Sequence, residues 1–185
     1  MRISCATSAN DISDTSADLI VLPEGTSWEQ IHAASSRCPS AIIVGAVTEG
    51  TFSRGVLLHR GKNTIEYLKV MSDGSNNTQQ TPVFESATAC IGILVCMDVD
   101  HVEFSRRVIE TIKASPKAFK VLCVPADMGS QWFTNTELPA QYHGVHVALS
   151  NNTTYEVRCK SFIANAHGTK VKEQKNLEPI YDPEH

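Results

Sequence analysis

Three polar residues stand at or near the ends of apolar segments, and their types together are those of a nucleophilic site. Glu24 follows the apolar run 19–22 and Pro23, Lys69 lies in the alternating run 64–70, and Cys96 ends the run 89–96. A thiol can attack a carbonyl carbon, a carboxylate can accept the thiol proton, and an ammonium can stabilise both the thiolate and the resulting oxyanion. We therefore expect nucleophilic catalysis if the fold brings these three side chains together.

Each of the three residues also has an ordinary structural explanation. A glutamate after a strand can simply favour the N-terminus of a following helix. A lysine in an alternating strand can face solvent, and a cysteine within an apolar segment is commonly a buried structural residue. If Lys69 instead lies on the inward face with Tyr67, its buried ammonium needs an anionic partner. The sequence leaves these alternatives open.

The elements that must position these residues are strands, because apolar segments of strand length recur along the whole chain. Several of them, with the sequences DLIVL, AIIVGAV, IGILV and KVLCV, are continuous rather than alternating, which is typical of strands buried on both faces. Helices must then cover the sheets, so we predict a layered α/β domain with mixed sheets. The predicted strands lie at 2–6, 18–22, 41–47, 55–59, 64–70, 89–96, 120–124, 145–150 and 157–164.

Two segments carry helical signals. The segment 27–37 begins with Ser27 and has Gln30 three residues later, which is the pattern of a capping box. The segment 100–113 places a set of apolar residues close to one face of a helix: Val102, Phe104, Val108, Ile109 and Ile112. A short helical turn is also expected after Asn135.

Length and composition predict one domain and exclude several classes of partner. The 185 residues are 42% hydrophobic and 19% charged, which argues for a folded domain over 1–170, followed by a charged tail without periodicity at 171–185. The net charge of −4, without long runs of like charge, argues against nucleic acid or an anionic membrane as partner. No signal peptide or membrane-spanning run is apparent, so we expect a cytoplasmic protein.

The six cysteines and seven histidines show no spacing typical of metal ligands. The cysteines are scattered and lie mostly within apolar runs, which predicts free thiols rather than a disulfide framework. We therefore expect no metal site.

In their order along the chain, three motifs resemble those of the nitrilase (carbon–nitrogen hydrolase) superfamily. They are D-L-I-V-L-P-E-G at 18–25, E-Y-L-K-V at 66–70 and G-I-L-V-C-M-D at 92–98. Supporting blocks follow in the expected order at 121–126, 148–152 and 161–168, so the resemblance covers nearly the whole chain.

The resemblance implies a nitrilase-like four-layer α-β-β-α sandwich with two mixed β-sheets. It implies hydrolysis of a non-peptide carbon–nitrogen bond in a small amide, carbamoyl compound or nitrile, through a cysteine thioester. Glu24 would be the general base, Lys69 the oxyanion-stabilising cation and Cys96 the nucleophile. The backbone N–H of Met97 would be a second oxyanion donor, and neither a cofactor nor a metal would be required.

The resemblance also implies features of the surface. The loop that carries Trp132 and Phe133 would line the substrate mouth, although core packing of one of these aromatic residues is an alternative. The protein would form a homodimer or higher homo-oligomer, with the helix after Cys96 and the segment 171–185 at the interface.

Several features depart from the superfamily pattern. The chain is short, and only residues 8–17 separate the first two predicted strands, where a helix is usual. A further glutamate common between the lysine and the cysteine has no clear counterpart; Glu85 is the candidate, with Asp73 the other carboxylate in that interval. Glu85 could equally be an ordinary glutamate at a strand end.

Two other functions remain open at this stage. The chain could be a catalytically weak or inactive nitrilase-like binding or assembly protein, as its shortness suggests. It could also be an unrelated Cys-His hydrolase, which would require a histidine rather than Lys69 beside Cys96.

Overall fold

A computed structural model describes residues 1–6, 8–12, 15–70, 80–127, 142–152, 161–173 and 180–181. These residues include twelve strands, two α-helices and two short 3-10 turns. The helices are α1 (Trp28–Arg37) and α2 (Val102–Ala114), and the turns are Ala9–Asp11 and Cys96–Asp100. The strands are β1 (Ile3–Cys5), β2 (Leu19–Glu24), β3 (Ile42–Glu49), β4 (Phe52–His59), β5 (Lys62–Leu68), β6 (Val83–Glu85), β7 (Ala89–Ile93), β8 (Phe119–Ala126), β9 (His146–Asn151), β10 (Phe162–Ala164), β11 (Lys170–Glu173) and β12 (Ile180–Tyr181).

The strands form two mixed sheets that pack face to face. The first sheet has the order β12-β1-β2-β3-β4-β5 and the second β11-β10-β9-β8-β7-β6. In each sheet three neighbouring strands are parallel, β1-β2-β3 and β9-β8-β7, and the outer strands are antiparallel. Strand β2 contacts β8 and β9 across the interface, and every residue of β2 and β7 is buried. The continuous apolar runs therefore mark strands covered on both faces, as predicted.

One helix covers the outer face of each sheet, which completes the four layers. Helix α1 packs on the first sheet through Ile31 and Ala34, and its predicted capping box is present, with Gln30 N donating to Ser27 Oγ and Ser27 N to Gln30 Oε1. Helix α2 packs on the second sheet. The expected α-β-β-α sandwich is confirmed.

The predicted apolar face of α2 is wrong at one position. Its buried residues include Phe104, Val108, Ile109 and Ile112, but Val102 is 73% exposed. Successive residues of a helix are rotated by about 100°, so Val102, two residues before Phe104, lies on roughly the opposite side of the helix.

The C-terminal region also differs from the expected tail. Strand β11 pairs with β10, and β12 pairs with β1, so two short strands extend the edges of the two sheets. Strands of two to four residues carry too little periodicity to be recognised, because pairing with a neighbour rather than their own pattern stabilises them. The short strand β6 was missed for the same reason. Whether 171–185 also contacts a second copy stays a prediction.

Two further expectations concern connections. Between β1 and β2 the described residues form a single 3-10 turn, Ala9–Asp11, in agreement with the expected lack of a helix there. The turn expected after Asn135 and the residues 157–160 of a predicted strand lie outside the described residues. In the described part, neither helix has the length and apolar character needed to cross a membrane.

Candidate active site

Strand ends bring the three predicted residues to one edge of the sandwich. Glu24 is the last residue of β2, and Lys69 directly follows β5, where its N–H donates to Ser53 O at 2.9 Å. Beyond β7 the chain stays beside β8, because Leu94 N donates to Cys123 O at 3.0 Å, and it reaches Cys96 two residues later. In α/β sheets, functional groups commonly lie at the carboxyl ends of neighbouring parallel strands.

Lys69 faces inward and pairs with Glu24. The distance from Lys69 Nζ to Glu24 Oε1 is 2.7 Å, and the two side chains are 12% and 8% exposed. Such a charge-assisted hydrogen bond satisfies the buried ammonium that the sequence left without a partner. Burial alone would lower the pKa of Lys69, but the neighbouring Cys96 and Glu24 outweigh it and raise that pKa, so the lysine is held in its charged form.

Cys96 occupies a sharp turn directly against this pair. It begins the Cys96–Asp100 turn with a backbone φ of 52°, in the left-handed region that residues other than glycine rarely adopt. Its side chain interacts with the Glu24 carboxylate and the charge of Lys69, and its sulfur accepts a hydrogen bond from the backbone N–H of Asp127. Non-glycine residues persist in this region where the surrounding structure holds them, commonly at functional sites.

The electrostatic environment keeps the Cys96 thiol protonated. Burial, followed by the charge of Glu24, raises the pKa of Cys96 to about 12, although Lys69 and the Asp127 N–H act in the opposite direction. A neutral thiol beside a carboxylate needs that carboxylate as a base before it can act as a nucleophile.

This environment predicts how the thiol titrates. Because the pKa is raised, no thiolate signal from Cys96 should appear between about pH 6 and pH 10, where an ordinary cysteine ionises. The measurement is the ultraviolet absorbance of the protein minus that of Cys96→Ala, which cancels the other thiols. A thiolate step near pH 8 in this difference would contradict the expectation.

Tyr67 links the strand of Lys69 to the turn of Cys96. Its hydroxyl donates to Asp98 Oδ2 at 3.1 Å and accepts from Val95 N at 2.7 Å. Burial and then the Asp98 charge raise the pKa of Tyr67 well above its ordinary value, so the hydroxyl remains a donor. The ring lies across Gly55, where a Cβ would collide with it. Sequence reasoning did not assign a role to Tyr67 or Asp98, although both lie within the motifs quoted above.

Removing the Tyr67 hydroxyl should destabilise the fold. Tyr67→Phe leaves the Val95 N–H unsatisfied and removes a donor from Asp98, so we expect a loss of about 2–4 kcal/mol in the free energy of unfolding, measured with urea. Tyr142→Phe is the matched control, because that buried hydroxyl has no hydrogen-bond partner among the described residues. Equal, small losses for the two variants would contradict the proposed link.

The other predicted site residues are not all placed beside Cys96. Met97 follows Cys96 in the turn and is half-buried against the core. Glu85 is paired in register with Cys90, near the start of β7 and six residues before Cys96, and it accepts a hydrogen bond from Ser115. The structure therefore places Glu85 away from the thiol, because antiparallel β6 runs back toward the start of β7. Trp132, Phe133 and Asp73 lie outside the described residues.

A small cavity of about 210 Å³ opens beside Glu24. Asn152, which follows β9, lies on its wall, and Thr26 Oγ1 donates to Pro23 O at 2.7 Å, which holds the loop after β2. The cavity is lined by Ser8, Pro23, Glu24, Gly25, Thr26, Gln30 and Asn152.

Two alternatives can be compared with this geometry. Lys69 lies beside Cys96, and no histidine in the described part of the chain acts on that thiol, so these residues do not form the Cys-His arrangement. Among the described residues, no three His, Cys, Asp or Glu side chains are placed to hold a metal ion.

Comparisons with known proteins extend the fold assignment. No protein-family model and no curated protein matches the sequence. Among solved structures, the NitN amidase from Nesterenkonia sp. AN1 superposes with a TM-score of 0.70 at 19% identity, covering 98% of this chain and 92% of that one. Nit3 from Saccharomyces cerevisiae, a member of branch 10 of the nitrilase superfamily, has a TM-score of 0.72 at 14% identity, covering 100% and 90%.

A larger enzyme contains a similar unit. Glutamine-dependent NAD+ synthetase from Acinetobacter baumannii has a TM-score of 0.69 at 15% identity, covering 99% of this chain but 46% of that one. Likeness over nearly the whole chain, together with the α-β-β-α layers and the strand-end residues, leads to one conclusion. This chain has the fold of the nitrilase superfamily.

Proposed function

We propose that this protein is a carbon–nitrogen hydrolase that cleaves a non-peptide bond in a small amide, carbamoyl compound or nitrile. The proposal rests chiefly on one observation: the buried Lys69–Glu24 pair, 2.7 Å apart, lies directly against a cysteine held at a φ of 52°. A base, a fixed cation and a thiol are the groups that acyl transfer through a thioester requires.

Acylation begins with the neutral thiol. Glu24 accepts the proton of Cys96 as its sulfur bonds to the amide carbon, and the electron pair of the C=O bond moves to oxygen. Lys69 Nζ stabilises this oxyanion. The Met97 N–H is a suitable second donor, because N–H groups in the first turn of a helix have no partner within that helix.

Collapse of the adduct releases the nitrogen product. The C=O bond re-forms, the C–N bond breaks, and Glu24 returns its proton to nitrogen, so that ammonia or an amine leaves a Cys96 thioester. Glu24 then accepts a proton from water, whose oxygen attacks the thioester, and the acid and the thiol are released. With a nitrile, the first adduct is a thioimidate, to which water adds before ammonia leaves.

Structural neighbours support amide chemistry. The NitN protein is described as an amidase. A variant of the Nesterenkonia amidase is described with the acetamide moiety of fluoroacetamide covalently added at its active-site cysteine. By analogy, Cys96 is the residue of this chain that we assign to covalent chemistry.

A second candidate is a binding or assembly protein with weak or no catalysis. It is favoured by the placement of Glu85 away from Cys96, which leaves the expected further glutamate without a counterpart in the described part of the chain. Turnover distinguishes the two candidates.

The test is a panel of small amides, carbamoyl compounds and nitriles, assayed for ammonia release. We expect release from at least one class, together with a mass increase on Cys96 at short times that matches the acyl group. Cys96→Ala, purified in parallel, reports contaminating activity from the expression host. Equal release by the two proteins, or no release from any compound, would contradict the hydrolase proposal.

A further inference from the structure

A second carboxylate, not foreseen from the sequence, enters the site from β8. Asp127 directly follows β8, and its backbone N–H donates to the Cys96 sulfur. Its carboxyl group interacts electrostatically with Glu24 and Lys69, the two residues whose charges also act on the Cys96 thiol. Asp127 and Cys96 therefore follow neighbouring parallel strands, at the same edge of the second sheet.

One oxygen of the Asp127 carboxyl group, Oδ1, is buried and has no hydrogen-bond partner among the described residues. A carboxylate accepts hydrogen bonds only, and a buried acceptor without a donor costs free energy. A bound ligand that carries an N–H group can supply the missing donor.

The local charges make such a donor favourable. Burial first, and the charge of Glu24 second, raise the pKa of Asp127, while Lys69 acts against them. The carboxylates of Glu24 and Asp127 interact with the single ammonium of Lys69, so acceptors exceed donors among these three side chains. A group that brings N–H donors relieves this excess, whereas a group with acceptors alone does not.

We propose that Asp127 is a specificity-determining residue that accepts a hydrogen bond from the NH₂ group of the substrate. The site then takes primary amides and carbamoyl compounds and discriminates against nitriles. An amide nitrogen carries two hydrogens, which can serve Glu24 and Asp127 together, while a nitrile nitrogen carries none. This inference rests on the proposed hydrolase function, because it assigns the substrate to the same Cys96 site.

The test compares two ligands of similar size, propionamide and propionitrile, by the protection that each gives Cys96 against methyl methanethiosulfonate, a thiol reagent without N–H donors. Modification of Cys96 is read by peptide mass spectrometry. Protection measures binding and does not need turnover. For the unaltered protein, we expect half-protection at a roughly tenfold lower concentration of propionamide. Asp127→Ala should remove this preference, and Asp127→Asn, which keeps one acceptor oxygen and the shape of the side chain, should retain part of it.

Controls separate specificity from folding and from catalysis. Glu110→Ala removes an exposed carboxylate on α2 and should leave the preference unchanged. The same preference in Asp127→Ala as in the unaltered protein, with Asp127→Asn folded and equally unaffected, overturns the inference. If the protein shows the amide preference but releases no ammonia from any amide, the hydrolase proposal fails while the role of Asp127 in recognition stands.

Discussion

Glu24→Gln is expected to lower kcat for the best substrate about a thousandfold, with the fold retained. With a Cys96 pKa of about 12, roughly one thiol in 10⁵ is ionised at pH 7, so catalysis depends on a base that removes the proton during attack. Gln has nearly the same shape as Glu and can still accept a hydrogen bond from Lys69, but it cannot accept a proton.

The pH dependence of Glu24→Gln gives a second, independent readout. Because the Glu24 charge raises the pKa of Cys96, its removal should lower that pKa, and the residual activity should increase with pH as thiolate forms directly. Glu29→Gln, which alters an exposed carboxylate in the first turn of α1, is the matched control. A kcat within about tenfold of the unaltered value would show that Glu24 is not the base.

Lys69→Met should reduce both activity and stability. Loss of the cation removes an oxyanion donor, for which we expect a decrease of about 10²–10³-fold in kcat. It also leaves Glu24, 8% exposed, without its ionic partner, and breaking one side of a buried pair costs about 3–5 kcal/mol in the free energy of unfolding. Lys62→Met, at the exposed start of β5, which ends one residue before Lys69, is the control for the substitution itself.

A double variant measures the interaction between Lys69 and Glu24. Lys69→Met combined with Glu24→Gln should be more stable than Lys69→Met alone, because the uncompensated carboxylate is gone. Urea unfolding of the four proteins gives the coupling free energy directly. Additive losses in the free energy of unfolding for the two single variants would contradict the pairing.

The pH dependence of stability also has a defined sign. Because the pKa of Lys69 is raised in the folded state, the contribution of Lys69 to the free energy of unfolding is complete below its ordinary pKa near 10.5. That contribution is lost as the pH rises through the folded pKa.

Much of the architecture could be predicted from the sequence because its signals are local. The run ending at Glu24 and the run leading to Cys96 are continuous and apolar, which identifies buried strands without knowledge of their neighbours. The Ser27–Gln30 capping box identified the start of α1 for the same reason. Strands β11 and β12 escaped prediction because their stability comes from pairing with β10 and β1, which no local pattern records.

The sequence by itself determined which residue types were available for chemistry and that each stood near the end of a strand. Only the tertiary structure decided which acidic residues lie beside Cys96. Glu85 is nearer to Cys96 in the chain than either Glu24 or Asp127, yet antiparallel pairing carries it to the far end of β7, while parallel strands deliver the other two to the same edge. Strand register and sheet packing set the positions of strand ends, so the number of residues between two positions does not give their distance in space. For this reason the position of Asp127 beside Cys96 was visible only in the fold.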